Sequence, residues 1–417
     1  MKNFRKEVLL WEKEIVKLWN KNYILLLQGN AVSAIGDVLY SVAIGYWVYE
    51  QTGSSALMGI MSSISMFVMM FVQPFSGSIV DKSNRKVLIV GMDALRGIIM
   101  LVVGVMALTD NLSVPVVLIA AFLAALCSVF FGPSVSTVLI DIIPHDEIVR
   151  GQSVQSGITS LINLVGKAFS GALVAFVGVP LIITLNGVTY LISAFTELFI
   201  DVPKTKRQGE KVTVSGILSD FKTAFVEIFT NKFLKIFIPS AMILNLLGSG
   251  PSSLMLPFIL EKGFTVEQYG FFMSVETAAS LICVFLLGVF RMKKATRYYL
   301  MAAGFIASCF FYIITYLSKD FLWMCVWMFI GCFVNCVGNS IFSATIVLAM
   351  PEENRAGMLG LFSATSMGGC ALSAVFFGIL GELMPLYLLF VIGNVVSIPL
   401  MVWMCLHKNT KEFILEH

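Results

Sequence analysis

Charge is what this sequence lacks. Only 13% of its 417 residues are Asp, Glu, Lys or Arg, while 58% are hydrophobic. A soluble domain carries about 25% charged residues to cover its surface, so a water-soluble globule is excluded and helices bathed in lipid are indicated. Histidine is scarce at three residues, and the formal net charge is only +3. There is no basic patch of the kind that binds nucleic acid, no nucleotide-binding loop, no catalytic triad and no cluster with metal-ligand spacing. An enzyme, a cofactor and a metal are accordingly not expected. The eight cysteines all fall within or at the edge of apolar runs. Cys332 and Cys336 are four apart without a His or acidic partner, so all eight read as small core residues.

What is there is a ladder of apolar runs. A spanning helix needs roughly 20 apolar residues, and twelve such runs lie near 22–50, 55–80, 86–108, 113–143, 151–177, 179–202, 233–259, 269–290, 296–317, 320–350, 356–382 and 385–406. The expected fold class is therefore an all-α membrane protein with 12 transmembrane helices. Residues 1–21 are not a cleavable signal, because Lys and Glu interrupt every apolar run. Val8, Trp11, Ile15 and Leu18 recur there at helical spacing, which predicts an interfacial amphipathic segment.

The basic residues are sorted by the ladder. Of 28 Lys and Arg, Lys262 and Lys319 fall on one side, Arg96 and Lys167 lie inside the runs, and the other 24 fall on the opposite side. The positive-inside rule puts that richer side, with both termini, in the cytoplasm. The stretch 203–232 is the one long polar connection, and it divides the ladder six and six. Expected domains are a six-helix bundle over 22–202, the cytoplasmic linker 203–232, a second bundle over 233–407 and a cytoplasmic tail over 408–417. Two segments repeat weakly at equivalent places: Ser134 to Gly151 reads SVSTVLIDIIPHDEIVRG, and Ser340 to Gly357 reads SIFSATIVLAMPEENRAG. Each is a polar-dotted span end, a Pro, an acidic pair and an Arg entering the next span, which suggests two parallel repeats.

Between the second and third runs the chain reads Gly77-Ser-Ile-Val-Asp81-Lys82-Ser-Asn84-Arg85-Lys86. This resembles the signature loop of the major facilitator superfamily, Gly-x-x-x-Asp-Arg/Lys-x-Gly-Arg-Arg/Lys, with Asn84 where many members carry Gly. In physical terms Gly77 would let two helices approach, Asp81 would face a helix N-terminus or a basic partner, and Arg85 and Lys86 would anchor the hairpin. The resemblance covers the whole chain. Gly36-Asp37, Thr52-Gly53-Ser54, Asp93-x-x-Arg96 and Pro351-Glu-Glu-Asn-Arg355 are similar to the drug–proton antiporter branch that includes macrolide-efflux proteins. Where that branch often carries Gly-Pro in the fifth span, this chain has Gly166-Lys167.

The charges inside the runs are candidate functional residues, because the bilayer otherwise excludes them. Asp37 lies about 15 residues into the first run, on one helical face with Asn30, Ser33 and Ser41. Lys167 lies at similar depth in the fifth, on a stripe with Asn163 and Ser170. The resemblance implies that these two spans are neighbours, so a pair between Asp37 and Lys167 is expected. Such a pair either holds two helices together or, on protonation of Asp37, switches the bundle between its two open states. Glu276, in the eighth run, either takes a cationic substrate or a proton, or snorkels to the outer interface. Asp93 and Arg96, three apart, read as a same-helix pair supporting the Asp81 loop. Asp141 and Glu197, near span ends, are expected to be wetted. Asn245 with Ser249, and Asn335, Asn339 and Ser343, are candidates for a second cavity wall, and Gly248-Ser-Gly250-Pro251 is expected to weaken the seventh helix as a hinge.

The resemblance implies a multi-pass protein of the bacterial plasma membrane. It would be a monomer using protons to export amphiphilic small molecules such as macrolides, with the lipid bilayer and the substrate as its partners. Two alternatives stay open: an exporter of an anionic metabolite such as a siderophore, or a lysophospholipid transporter, drawn by Lys167; and a non-transporting sensor or scaffold on the same fold.

Overall fold

The computed structural model describes residues 18–202, 226, 229–230, 234–289, 294–350 and 355–407. Most of the N-terminal amphipathic segment, most of the 203–232 linker, the 408–417 tail and the Pro351–Asn354 part of the proposed motif lie outside those residues. The described chain is helical. Its helices are α1 (Lys21–Thr52), α2 (Ser55–Lys82), α3 (Arg85–Leu108), α4 (Val114–Ile142), α5 (Ile148–Val177) and α6 (Val179–Glu197). They continue as α7 (Leu234–Gly248), α8 (Gly250–Ser253), α9 (Met255–Glu261), α10 (Val266–Val289), α11 (Lys294–Leu317), α12 (Phe321–Ala349), α13 (Arg355–Gly381) and α14 (Leu386–Leu406). Twelve stretches among them are long and apolar enough to cross a membrane. Their outward faces carry bare Phe176, Phe285 and Leu322, 91%, 69% and 69% exposed, as lipid-facing side chains should be.

Local sequence sets where the helices stop. Asn84 caps α3, its side-chain oxygen accepting the Val87 N–H at 3.4 Å. That gives the Asn in the signature loop a structural reason: it satisfies a helix-end donor that Gly would leave bare. Gly178, between α5 and α6, has φ of 86°, a backbone region glycine enters without steric cost. The seventh span is interrupted as its Gly-Ser-Gly-Pro run predicts. It breaks at Ser249 and again at Leu254, giving α7, α8 and α9.

The chain divides into two compact units, residues 1–44 with 71–214 and residues 45–70 with 215–417. In the first, α3 and α6 pack closely, and a buried cluster of Tyr23, Leu26, Ile89, Val138, Leu139, Ile142 and Ile200 fills one end. In the second, α11 pairs with α12 and α14, around Ile238, Met301, Phe305, Phe342, Ile346 and Met404. Most of the eight cysteines are buried and all are free thiols.

The start of α2 belongs to the second unit, where it lies against α13. A Cβ on Gly59 would stand 2.2 Å from the Ala374 carbonyl oxygen, so only glycine permits this approach. At the same end Glu382 takes the Ala56 N–H at 3.0 Å and the Ser54 hydroxyl at 2.7 Å. Those donors, the Ala56 N–H foremost, hold its carboxyl below the usual carboxylate range. Gly59→Val is expected to cost about 1–3 kcal/mol through overpacking, read as a lower thermal midpoint in detergent. An unchanged midpoint would contradict the contact. The motif glycine Gly77 differs: among the described residues a Cβ there would meet nothing within 4 Å, so none of them makes the close helix approach expected at that position.

Candidate functional site

The first constellation is built on α6. Asn186, Tyr190, Ser193 and Glu197 recur at spacings of four, three and four, which puts them on one face. That face is turned inward: the four residues are 1%, 4%, 0% and 0% exposed. Opposite it, α3 presents Asp93 and Arg96, 0% and 4% exposed, and α1 presents the half-buried Asp37.

Arg96 joins them. Its guanidinium binds Asp93 Oδ1 and donates to the Tyr190 hydroxyl at 3.5 Å. It also lies over two rings, 4.2 Å from the centroid of Phe131 and 4.5 Å from that of Tyr190, a favourable seat for a cation away from water. The Tyr190 hydroxyl in turn donates to Asp37 Oδ1, and the Asn186 amide faces the same carboxylate. Asp37 thus senses the Arg96 charge through one intervening hydroxyl.

This arrangement bears on three expectations. The polar partners of Asp37 are Tyr190, Asn186 and Arg96, and Lys167 is not one of them. The first and fifth spans do touch near this level: a Cβ on Gly166 would lie 2.8 Å from Val38. The residue of α1 that meets α5 is therefore Val38, and the next position back on the helix, Asp37, is rotated toward α6 and α3. Second, Asp93 and Arg96 form the expected pair, but its onward link runs to Tyr190 and Asp37. The Asp81 side chain lies outside what is described. Third, Glu197 is fully buried, and Asp141 is paired with Arg85, their side chains 21% and 10% exposed. Glu197 is therefore not a wetted end residue, and Asp141 is a partly buried, ion-paired one.

The other polar residues expected on the first-half cavity wall satisfy themselves locally. Asn30 donates to the Leu26 carbonyl at 3.0 Å, Ser33 to Gly29 at 3.2 Å, Ser41 to Val38 at 2.8 Å and Asn163 to Thr159 at 2.9 Å. Ser33 is buried at 5% exposure rather than open to water. Lys167 and Lys86 are both half-buried.

The second constellation is a cavity of about 470 Å³ inside the second unit. It brings together Asn245, Ser249, Asn335, Asn339 and Ser343 as expected, and adds Ser308, Tyr312, Tyr316 and Asn394. Asn339 donates to Asn335 Oδ1 at 2.7 Å, and Asn335 to Ser308 Oγ at 3.2 Å, so the amides form one hydrogen-bonding wall. Phe305, Phe342, Phe362 and four methionines complete the lining. Glu276 also lines it, so the carboxylate faces a chamber rather than reaching for the outer interface. No Lys or Arg is among the lining residues.

Twelve spans and a matching signature loop are joined by a direct likeness. The Major Facilitator Superfamily profile matches residues 26–374 and 240–413. The chain belongs to that superfamily. Its relatives within it include the MFS-type transporter YkuC of Bacillus subtilis (strain 168), 23% identical over 320 residues, covering 73% of this chain and 72% of YkuC. Macrolide efflux protein A of Streptococcus pyogenes is 23% identical over 186 residues, 45% of this chain and 46% of that protein. The multidrug efflux pump Tap of Mycobacterium bovis (strain BCG / Pasteur 1173P2) is 29% identical over 160 residues, 37% and 38% respectively. The chain thus matches less than half the length of either efflux protein. Among solved structures, a bacterial homolog of the human lysosomal transporter Spinster has a TM-score of 0.68 at 14% identity, over 95% of this chain and 97% of that one. The nucleoside transporter NupG has a TM-score of 0.68 at 15% identity, over 92% and 100%. At such identities the structural likeness speaks for the fold. As a superfamily member with twelve apolar spans and bacterial relatives, the protein is a multi-pass transporter of the bacterial cell membrane.

The sequence reading missed Asn186, Tyr190 and Ser193. Their signal was present: a polar residue at every turn of the sixth span, the same kind of stripe that singled out the first and fifth.

Proposed function

We propose that this transporter is a proton-coupled exporter of amphiphilic, positively charged small molecules, with both termini in the cytoplasm. The observation that carries the proposal is Asp37, a mid-span carboxyl tied through Tyr190 to the buried Arg96. A carboxylate with that partner has a use for its charge, and neutralising it by a proton releases Arg96 to Asp93 alone. Alternating access would follow from rocking of the halves 22–202 and 233–407, with the signature loop of Asp81, Arg85 and Lys86 at the cytoplasmic gate. The export direction is supported by the efflux names among the relatives.

The cavity supports the charge preference. Its lining has one carboxylate, Glu276, aromatic and methionine surface, and amides, but no basic group. A siderophore or lysophospholipid headgroup would meet a like charge there, which weighs against the anionic alternative. Glu276 is the substrate-binding acid in this reading, and Lys167 tunes the first half from α5.

The test is a binding and efflux panel of matched lipophilic amines and their neutral analogues, with and without a protonophore. Glu276→Gln is expected to weaken amine binding roughly tenfold, the effect of losing about 1.4 kcal/mol, and to leave neutral analogues unchanged. Wild-type efflux should stop with the protonophore. Equal loss for both ligand series, or no loss for either, would overturn the assignment of Glu276.

A further inference from the structure

Two carboxyl groups in the first unit are assigned no proton in that cycle. Asp93 on α3 and Glu197 at the end of α6 are both 0% exposed, and they lie close enough to interact directly. Ser193 stands between them: its hydroxyl donates to Glu197 Oε1 at 3.5 Å and faces Asp93. Asp93 Oδ2 and Glu197 Oε2 have no hydrogen-bond partner among the described residues. The charged or titratable groups facing the pair are Arg96 from α3, Asp37 from α1, Tyr190 from α6 and Cys127 from α4. Arg96 is therefore the one cation among them.

The donor count does not close with both groups ionised. Two carboxylates would present four acceptor oxygens, of which Asp93 Oδ2 and Glu197 Oε2 meet no donor, and the buried Arg96 Nε and Asn186 Nδ2, themselves without partners among the described residues, do not reach them. A buried acceptor without a donor costs about 1–3 kcal/mol, and more when charged. One added proton relieves it, leaving a single unpaired oxygen on a neutral carboxyl in place of two on carboxylates. Carried by Glu197, it donates to Ser193 Oγ, and the Ser193 hydroxyl is then free to donate to Asp93, whose other oxygen holds Arg96.

We propose that Asp93, Ser193 and Glu197 form a second proton-binding site, separate from Asp37, that keeps one proton inside the first unit. The proton can change owner without leaving. The Glu197 O–H bond breaks as its proton passes to Ser193 Oγ, and the Ser193 proton passes to Asp93. Glu197 becomes a carboxylate, Asp93 a carboxylic acid, and Ser193 keeps one hydrogen. With Asp93 neutral, the whole Arg96 charge serves Asp37. With Asp93 ionised, the charge is divided. The position of this proton thus sets how strongly Arg96 holds the proposed carrier. Exchange with solvent would run over the end of α6, where Asp201 is exposed.

The site's existence does not depend on Asp37 carrying the transported proton, and the test separates the two. Infrared spectra of the purified full chain in lipid at neutral pH should contain the carbonyl stretch of a protonated buried carboxyl. Glu197→Gln should remove one carboxyl's worth of that band, and Asp37→Asn should leave this component in place. Ser193→Ala, a smaller perturbation, should retain the component and move its frequency, because its hydrogen-bond partner is gone. Full band intensity in Glu197→Gln, or an unmoved frequency in Ser193→Ala, would overturn the proposal.

Discussion

Asp37→Asn should reduce uphill export to the level of cells lacking the protein, while the variant stays folded and still binds substrate. The amide keeps the size of the carboxyl and can still accept the Tyr190 hydroxyl hydrogen bond, so packing of α1 on α6 is preserved. What it loses is the ability to take up and release a charge. Substrate should then equilibrate down its own gradient but not accumulate against it, and a protonophore should have no further effect on the variant. The neighbouring Gly36 shows why larger replacements would confuse this experiment. A Cβ at Gly36 would stand 2.3 Å from Asn186 Oδ1 and from Thr189 Oγ1, so α1 has no slack here. Uphill export by Asp37→Asn at the wild-type rate would contradict Asp37's role.

Arg96→Ala should be the most destabilising single change in the first unit. Removing one member of a buried ion pair leaves the other charge unpaired, at a cost of about 3–5 kcal/mol. Here the loss exposes Asp93 and weakens the Tyr190 link to Asp37 together, and it empties a side chain held between the rings of Phe131 and Tyr190. Arg96→Lys should recover only part of the stability, since a point ammonium cannot bind Asp93, reach Tyr190 and stack on Phe131 at once. The readout is the thermal midpoint in a fixed detergent. A drop in both variants, larger for Ala, is expected; a midpoint within experimental error of wild type for Arg96→Ala would mean that the pair contributes little. Tyr190→Phe, which removes one hydroxyl and keeps the ring over Arg96, should change transport much more than stability.

The span ladder was legible because the signal for a spanning helix is additive along the chain. Each of roughly 20 residues contributes to it independently of what packs against the helix. The expected run 113–143 and the observed α4 at Val114–Ile142 differ by a residue at either end. The sixth run ends earlier than expected, at Glu197, because Leu198 to Ile200 turn back on the helix end through the Phe199 and Ile200 N–H groups. The Gly-Ser-Gly-Pro break and the amide wall of the second unit were also readable, since both follow from residues close in sequence. Partners across helices were not. Asp37 and Lys167 were matched by depth, but depth does not give azimuth, and one residue along a helix turns a side chain by about 100°. That rotation decides that Val38 meets Gly166 and Asp37 meets Tyr190. Glu197 was misread for a related reason. Its distance from the span end suggested water, whereas its face, set by Tyr190 and Ser193, points inward.

The measurement that bears most directly on proton-coupled export is uptake into proteoliposomes of the purified protein under an imposed pH gradient. With a lipophilic amine and the wild-type chain, a proton gradient should drive accumulation above the equilibrium level, and reversing the gradient should reverse the direction of movement. Asp37→Asn vesicles should show neither. Amine movement that ignores the gradient in wild-type vesicles, corrected against protein-free vesicles, would contradict proton coupling and with it the role assigned to Asp37.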